Sequence, residues 1–474
     1  MHRLGARLSL GLLTGSLALC GARALAQPQP AQRAGAAPAQ KWVAGWTASP
    51  QGPYPVGNAT AQPDLSFAIH DSAKGASDQT FRLIVHPGIW GRAARIHLSN
   101  AFGTKPVTFD GVFVGVQDDG SSVLRGTNHP VSFQGRPSVT VQPGQAAWSD
   151  PVRLDPASMR EGRRLAVSFH VAGDSGPITW HAKALTTSYV SAPGAGSKGG
   201  EEGDSAFPNT TTSWYFLDEV DVLAPAVTRV IVALGDSITD GTASTLNGDD
   251  RWPDVLARRL RAAYGPDAVV VNAGIGGNQV LGPAEYSADK PFSGGPSAGD
   301  RLERDVLGLS GVTDVIWLEG INDLGAAKAA PEAVAKGMEA IVQRLRARIP
   351  GVKIYGATLT PSLNSTTGEY GTQEVDQKRK ALNQFIRQAK IFDGIEDFEA
   401  ATLDPETGAM RAQFQPNSTT GGPGDRLHPN HAGYLAMGEA VDVRPFAVSA
   451  PRPEPKGRSP AGERPSNPMR RAGG

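Results

Sequence analysis

The chain has 474 residues, and its 46 lysines and arginines balance 46 aspartates and glutamates, so the formal net charge at pH 7 is zero. This balance excludes the concentrated basic surface of a nucleic-acid-binding protein, and we predict no nucleic-acid partner. The 57 glycines and 37 prolines favour many loops and turns over long helices. The length favours two domains.

Residues 1–26 predict an export signal. Arg3 and Arg7 precede the apolar stretch Leu8–Leu19, and Ala24-Leu25-Ala26 has the small-x-small pattern of a signal-peptidase site. Cys20, the single cysteine, follows a leucine rather than a small residue and is therefore poorly placed for the alternative, a lipoprotein anchor. We predict a protein exported to the periplasm or the extracellular medium. No stable membrane insertion is expected after signal removal, because no other segment has the ~20 apolar residues of a membrane helix.

After a flexible segment at 27–40, residues 41–192 predict an all-β domain. Apolar and polar residues alternate along short runs such as 94–99, 112–116 and 165–171, with glycine, proline, asparagine and aspartate between them. This period is typical of half-buried antiparallel strands packed as a sandwich or a jelly-roll-like fold. The region includes Trp90, Trp148 and Trp180. They offer flat surfaces for a sugar, with core packing as the alternative.

The rest of the chain predicts a linker, a second domain and a tail. The glycine- and serine-rich stretch 193–209 indicates a flexible linker or long loop, bounded at 193–227. Over 228–449, continuous apolar strands alternate with helical stretches at 251–264, 331–349 and 374–392. This pattern predicts an α/β fold with a parallel sheet covered on both faces and functional loops at the carboxyl ends of its strands. The tail 450–474 is predicted to be disordered.

A candidate nucleophile follows the first of these apolar strands. Val230–Leu234 leads into Gly235-Asp236-Ser237-Ile238, so a serine stands in a glycine-flanked turn at a strand end. Asp425 and His428 supply, far downstream, the carboxylate and imidazole that such a serine needs to become reactive. The alternative for both segments is turn and capping chemistry.

Two further motifs stand at predicted strand ends. Asn272-Ala273-Gly274-Ile275-Gly276-Gly277-Asn278 places three glycines where backbone N–H groups point at a ligand without interference from side chains. Glu319-Gly320-Ile321-Asn322-Asp323 places an amide and a carboxylate at another strand end. Both motifs indicate donors for a developing oxyanion.

A metal site competes for the residues near the end of the chain. Asp425, His428 and His431 stand at intervals of three and supply an O,N,N donor set. Pro429 lies between the histidines, so these residues do not share one regular helix. We predict no metal or other cofactor, and we expect His431 to begin the helix that runs through 432–441.

The blocks GDSITDG, NAGIGGN, GIND and DRLHP resemble, in order and spacing, the four signature blocks of the SGNH/GDSL hydrolase superfamily. The resemblance covers about Val230 to Val441 and departs from the usual leucine at Ile238, an apolar packing position. It implies a three-layer, flavodoxin-like α/β/α fold. It also implies that Ser237 is the nucleophile, His428 the general base and Asp425 the residue that orients the imidazole. The implied oxyanion hole consists of the backbone N–H groups of Ser237 and Gly277 and the side-chain amide of Asn322.

The upstream segments Trp42–Trp46 and Leu98–Thr104 resemble an arylesterase- or acylhydrolase-like subgroup often linked to polysaccharide degradation. We therefore predict a serine carboxylic-ester hydrolase that removes acetyl or other short acyl groups from a carbohydrate. The alternatives are a general arylesterase or lipase, an acyltransferase with the same residues, and a glycan-binding protein with an inactive hydrolase domain. The loops 279–300 and 404–424 are long enough to shape substrate access, or else are plain connections. The sequence predicts no oligomeric state.

Overall fold

The computed structural model describes residues 39–154, 162–287 and 289–448. The predicted export signal, nearly all of the segment 27–40 and the C-terminal tail lie outside the described residues. Within these ranges, every helix is too short or too polar to cross a membrane.

The described part of residues 40–225 is built from short antiparallel strands, as the period-two pattern predicts. The alternation places one face of each long strand in the core, where branched and aromatic side chains pack well. The strands are β1 (Gln40–Thr47), β2 (Gly52–Pro53), β3 (Ser77–Val85), β4 (Ala93–Ser99), β5 (Val107–Val116), β6 (His129–Pro130), β7 (Val139–Val141), β8 (Ala146–Trp148), β9 (Val152–Arg153), β10 (Leu165–Asp174), β11 (Thr179–His181), β12 (Ser188–Val190), β13 (Asn209–Thr211), β14 (Trp214–Tyr215) and β15 (Leu217–Pro225).

These strands form two larger sheets and a small one. The first has the order β1-β15-β4-β8 with β9 also on β4, and the second has the order β13-β12-β3-β10-β5-β6 with β7 on β5. The small sheet is β14-β11-β2. Ile96 of the first sheet and Phe169 of the second belong to one buried core, and Phe216 packs edge-on against Phe109 with ring centroids 5.2 Å apart. The region is therefore a sandwich around a shared core.

The predicted linker at 193–227 differs in the structure, because it contains three strands. β15 pairs with both β1 and β4, in the centre of the first sheet. Its acidic residues suggest a loop, but Leu217, Val220 and Val222 are buried. The glycine-rich part is also tied down, since buried Arg82 donates to the carbonyl oxygens of Gly199 and Gly203.

The second half of the chain forms the predicted parallel sheet with helices. The sheet order is β17-β16-β18-β19-β20, with every neighbouring pair parallel. The strands are β16 (Arg229–Gly235), β17 (Ala268–Gly274), β18 (Asp314–Leu318), β19 (Lys353–Ala357) and β20 (Gly394–Glu396). The helices are α1 (Ser237–Asp240), α2 (Trp252–Tyr264), α3 (Ala298–Leu302), α4 (Ile321–Gly325), α5 (Pro331–Arg348), α6 (Gln373–Gln388), α7 (Phe398–Thr402) and α8 (His431–Ala440).

The helices pack in two groups, α2 with α8 and α5 with α6, and contribute to one core with the sheet. This is the α/β fold that the sequence predicts. Helix α6 ends four residues earlier than expected, and Phe392 then lies against Gly356 of β19.

The strand register brings the predicted motifs to one edge of the sheet. Gly235 is level with Gly274 on one side and with Leu318 on the other. A Cβ atom at Gly235 would lie 2.3 Å from the Leu318 carbonyl oxygen, so only glycine permits this close approach before the turn. The three motifs that follow β16, β17 and β18 therefore begin side by side.

Candidate active site

Ser237 is the first residue of α1, two residues after the end of β16, an interior strand of the sheet. The side chain of Asp236 caps this helix, because its Oδ1 accepts the backbone N–H of Ile238 at 3.0 Å. Gly241 ends the helix with a φ of 106°, which L side chains rarely adopt. The turn thus fixes the Ser237 side chain at the carboxyl edge of the sheet, where it is 6% exposed.

The structure brings Ser237, His428 and Asp425 into one hydrogen-bonded chain. Ser237 Oγ lies 2.8 Å from His428 Nε2, and His428 Nδ1 lies 2.6 Å from Asp425 Oδ2. The other Asp425 oxygen accepts the backbone N–H groups of Leu427 and His428 at 3.0 and 2.9 Å. The geometry is that of a hydroxyl, a base and a group that orients the base.

The electrostatics of this chain assign its protons. Burial raises the pKa of Asp425, but the hydrogen bonds and charge of His428 and the backbone N–H of Leu427 lower it by more. The net pKa is well below the ordinary value, so Asp425 is ionised and accepts the Nδ1–H of His428. His428 Nε2 is then free to accept the hydroxyl proton of Ser237.

The two remaining predicted site residues, Gly277 and Asn322, lie in motifs that a hydrogen bond joins. Gly277 has a φ of 83°, and Asn278 holds the next loop by donating to the carbonyl oxygens of Gly294 and Pro296. The Asn322 amide donates to the Asn278 carbonyl oxygen at 2.9 Å, which joins the β18 motif to the glycine motif. A primary amide carries two N–H bonds, so Asn322 retains a second donor.

One loop, residues 362–372 after β19, contacts both halves of the site and was not singled out from the sequence. The Tyr370 hydroxyl donates to Asn322 Oδ1 at 2.8 Å, which fixes the orientation of that amide. Thr367 Oγ1 donates to Asp425 Oδ2 at 3.2 Å, and Ser365 Oγ donates to the Asp425 carbonyl oxygen at 3.0 Å. Its position after a parallel strand is the only sequence signal that points to it.

Arg301 is a second residue that sequence reasoning missed. Its guanidinium is 1% exposed and donates to the carbonyl oxygens of Gly235 and Ala273 at 2.8 and 2.7 Å. It also donates to Asn278 Oδ1 at 2.7 Å. One buried cation therefore ties the strand end before Ser237 to the glycine motif.

Three buried carboxyl groups lie behind the site, and burial is the largest cause of the raised pKa of each. The pKa is raised to about 8 for Asp236, about 7 for Glu319 and about 6 for Asp323. Asp323 accepts the backbone N–H groups of Val280 and Leu281, both at 2.9 Å. At neutral pH Asp236 is mainly protonated, so it adds little negative charge next to the hydroxyl of Ser237.

His431, the third residue of the alternative metal site, has a different partner from Asp425 and His428. His431 begins α8 as expected, and its Nδ1 lies 2.9 Å from Ser418 Oγ. In the described ranges, no three His, Cys, Asp or Glu side chains are grouped so as to hold a metal ion.

One candidate access loop contacts the sandwich region, and two of the three tryptophans are covered by other groups. Gln51 of the sandwich region donates to the Ser293 carbonyl oxygen and accepts from the Tyr286 hydroxyl, both at 2.8 Å, so the loop 279–300 is held against that region. Trp180 is 2% exposed and donates to the Val56 carbonyl oxygen, a core position. Trp148 is covered by the guanidinium of Arg95, 4.2 Å from its ring. A substrate-lid role for the loops stays a prediction.

Comparison with known proteins gives one family and several similar structures. Residues 233–436 match the GDSL-like Lipase/Acylhydrolase family. No curated protein matches the sequence. The carbohydrate acetylesterase Est24 from Sinorhizobium meliloti is similar at 16% identity and a TM-score of 0.34, over 45% of this chain and 96% of that chain. The aryl esterase of M. smegmatis is similar at 19% identity and a TM-score of 0.34, with the same coverage of 45% and 96%.

Proposed function

We propose that the protein removes short acyl groups from an acylated carbohydrate. The premise is that residues 233–436 are a GDSL-like lipase/acylhydrolase domain and that the protein is an ester hydrolase of the SGNH type. The observation that carries the proposal is the hydrogen-bonded chain from Ser237 Oγ through His428 to Asp425. The proposed path is a covalent acyl-enzyme on Ser237.

In this mechanism His428 Nε2 takes the hydroxyl proton as Ser237 Oγ bonds to the ester carbonyl carbon. The carbonyl π electrons move to its oxygen, and the resulting charge is stabilised by the N–H groups of Ser237 and Gly277 and by the Asn322 amide. Collapse of the adduct breaks the bond to the alcohol, which leaves with the proton from His428. Water then repeats the sequence on the acyl-enzyme, activated by His428, and releases the acid. Asp425 stabilises the imidazolium in both halves.

The surface near the motifs supports a short acyl group over a long chain. A lipid chain needs a continuous apolar groove. The exposed large hydrophobic residues of the described ranges are Phe67, Val227, Leu281 and Leu435. None of them belongs to the four motifs, whose neighbouring side chains include the polar residues Lys183, Thr367 and Tyr370.

Mass spectrometry after fluorophosphonate treatment tests the nucleophile. We expect one adduct on the wild-type protein and none on Ser237→Ala. An adduct that persists in the variant would refute the assignment of Ser237. An absence of both labelling and turnover in the wild type would favour a glycan-binding protein with an inactive hydrolase domain.

Substrate class is tested by comparing p-nitrophenyl esters of increasing chain length with acetate release from acetylated polysaccharides. We expect acetyl esters to have the highest kcat/KM and acetate to be released from the glycan. A preference for long chains would indicate a lipase. Transfer of the acyl group to an added alcohol, in preference to water, would indicate an acyltransferase.

Export is part of the same proposal and rests on residues 1–26, which lie outside the described residues. N-terminal sequencing of the protein from its native host, or from a secreting host, measures the cleavage site. We expect the mature chain to begin at Gln27. A retained Met1 would overturn the export proposal without affecting the chemistry.

A further inference from the structure

The sandwich region contacts the turn after Ser237 through two side chains, one at the end of β11 and one just after it. His181 and Lys183 are 4% exposed each. His181 Nε2 lies 3.1 Å from Asp240 Oδ1, and Lys183 Nζ donates to Thr242 Oγ1 at 2.8 Å. Asp240 and Thr242 lie within five residues of Ser237. Both contacts therefore end on the turn that carries the nucleophile.

The first contact continues to the oxyanion motif. Asp240 Oδ2 accepts the backbone N–H of Gly276 at 3.0 Å, one residue before Gly277. On its other side, the imidazole Nδ1 of His181 lies 2.8 Å from the Ser49 carbonyl oxygen. A carbonyl oxygen only accepts, so this nitrogen carries a proton. A continuous chain of hydrogen bonds thus runs from the Ser49 carbonyl oxygen through His181 and Asp240 to the backbone N–H of Gly276.

The second contact places a cation against the same motif. A Cβ atom at Gly276 would lie 2.8 Å from Lys183 Nζ, so the glycine leaves the space that the ammonium group occupies. Burial lowers the pKa of Lys183, while the negative charges of Asp240 and Asp425 oppose that change. The ammonium therefore lies among the acidic groups of the site, beside the loop where negative charge grows in the proposed reaction.

We infer that His181 and Lys183 are positioning residues, supplied by the sandwich region, that hold the Gly276–Gly277 backbone in the orientation needed to stabilise the oxyanion. The inference rests on the proposed function and extends it, because it makes the upstream region a part of the catalytic centre. His181 acts through Asp240, and Lys183 acts through its packing and charge at Gly276.

The test compares kcat and KM for p-nitrophenyl acetate in full-length variants. Glutamine at 181 cannot donate to Ser49 and Asp240 together, so we expect His181→Gln to lower kcat by about tenfold to a hundredfold, with KM within about threefold of wild type. Lys183→Met is expected to lose kcat to a similar extent, and Lys183→Arg to recover most of that loss by keeping the charge.

The matched control is His170→Gln. His170 is another buried histidine of the sandwich region, hydrogen-bonded to Asp78 and Asp110 at 2.9 and 2.6 Å and not in contact with the glycine motif. This variant should lose stability yet keep kcat within about twofold of wild type. Equal kcat in His181→Gln and His170→Gln would overturn the inference.

A second readout separates positioning from general damage. A trifluoromethyl ketone forms an adduct with the serine that carries an oxyanion, so its inhibition constant should rise in His181→Gln by about the factor by which kcat/KM falls. An unchanged inhibition constant would overturn the inference. If His181→Gln does not fold, Lys183→Met against Lys183→Arg decides the question by the same measurements. By contrast, a wild-type protein with no ester turnover and no fluorophosphonate labelling would refute the proposed function itself.

Discussion

Arg82 in the sandwich and the carboxyl groups beside Ser237 respond to burial in opposite ways at neutral pH. In the sandwich, Arg82 is fully buried and donates to several loop carbonyl oxygens; burial lowers its pKa only to about 10, so it remains a cation at neutral pH. Behind Ser237, the buried groups include carboxyl groups whose pKa is raised, to about 8 for Asp236 and about 7 for Glu319.

This difference separates a buried group that serves stability from buried groups that carry an electrostatic cost. A buried cation that donates to carbonyl oxygens stabilises loops over the whole physiological pH range. A buried carboxyl group with a pKa of about 7 to 8 favours the folded state only while it keeps its proton, so its contribution to the free energy of unfolding changes with pH. Such electrostatic costs are typical of functional sites, where buried polar groups lower stability and packing elsewhere in the fold compensates. Variants in the two regions should therefore separate activity from stability.

The largest expected effect is the loss of activity in His428→Ala. Without the imidazole, the hydroxyl of Ser237 has no proton acceptor, and kcat should fall by at least about 10⁴-fold. The thermal midpoint should change little, because the side chain is partly exposed and lies outside the hydrophobic core. Steady-state kinetics and calorimetry measure the two quantities. Retention of a tenth of the wild-type kcat would contradict the assigned base.

Phe169→Ala should show the converse behaviour in the sandwich core. Phe169 is fully buried and lies 5.6 Å from the Phe81 ring, so its truncation should lower the free energy of unfolding by about 3–5 kcal/mol. Urea denaturation measures this loss. The kcat per folded molecule should stay within about twofold of wild type at a temperature where both proteins are folded. A selective loss of kcat would show that the two regions do not divide these roles.

Asn322→Ala removes one predicted oxyanion donor. The expected decrease in kcat is about 10²- to 10³-fold, or roughly 2.7–4 kcal/mol of transition-state stabilisation, with the fold intact. Asn322→Asp is the matched variant, since it keeps the size but replaces the donor with a carboxylate, and it should be no more active. If Asn322→Ala retained full kcat, the donor role would belong to another group.

The pH dependence of stability should separate the buried carboxyl groups from the buried cation. The ordinary pKa of an Asp is 3.8 and that of folded Asp236 is about 8, so between these pH values the folded state holds a proton that the unfolded state has released. Stability from this group is therefore complete below about pH 4 and is lost as pH rises to about 8. Asp236→Asn keeps the cap to Ile238 and removes this loss.

Urea midpoints at pH 6 and pH 8 give the measurement. The difference in unfolding free energy between these pH values should be smaller in Asp236→Asn by about 2 kcal/mol, given about 1.4 kcal/mol per pH unit for one proton. Asp425→Asn is the control, because the pKa of Asp425 lies well below its ordinary value and the group is ionised throughout this range. Parallel pH profiles for wild type and Asp236→Asn would contradict the raised pKa.

Much of the fold follows from local sequence signals. Alternation over 165–171 predicts β10, and the continuous apolar run Val230–Leu234 predicts β16, because burial on one or two faces leaves a direct record in the pattern. The order of Ser237, Gly277 and Asn322 along the chain likewise matches strand ends that the parallel sheet brings together. These features need only the neighbours of each residue in sequence.

The features that could not be predicted depend on contacts between distant segments. β15 contains acidic residues between its apolar ones, and its place between β1 and β4 is decided by the sandwich rather than by propensity. Lys183 meets Thr242, 59 residues away, and Tyr370 meets Asn322, 48 residues away. A single lysine or tyrosine has many possible partners, so its sequence neighbourhood carries no record of the one it meets.

The smallest expected effect concerns Tyr370→Phe, and it tests whether the loop after β19 belongs to the site. The hydroxyl donates to Asn322 Oδ1 at 2.8 Å, so its removal frees the amide to rotate, and kcat should fall by about tenfold, with KM unchanged. In an Asn322→Ala background the same change should have no further effect, because the tyrosine acts through that amide. Tyr215→Phe is the control from the sandwich, where the hydroxyl lies 3.0 Å from Thr211 Oγ1. That variant should leave kcat unchanged, and additive losses from Tyr370→Phe and Asn322→Ala would show that the two residues act separately.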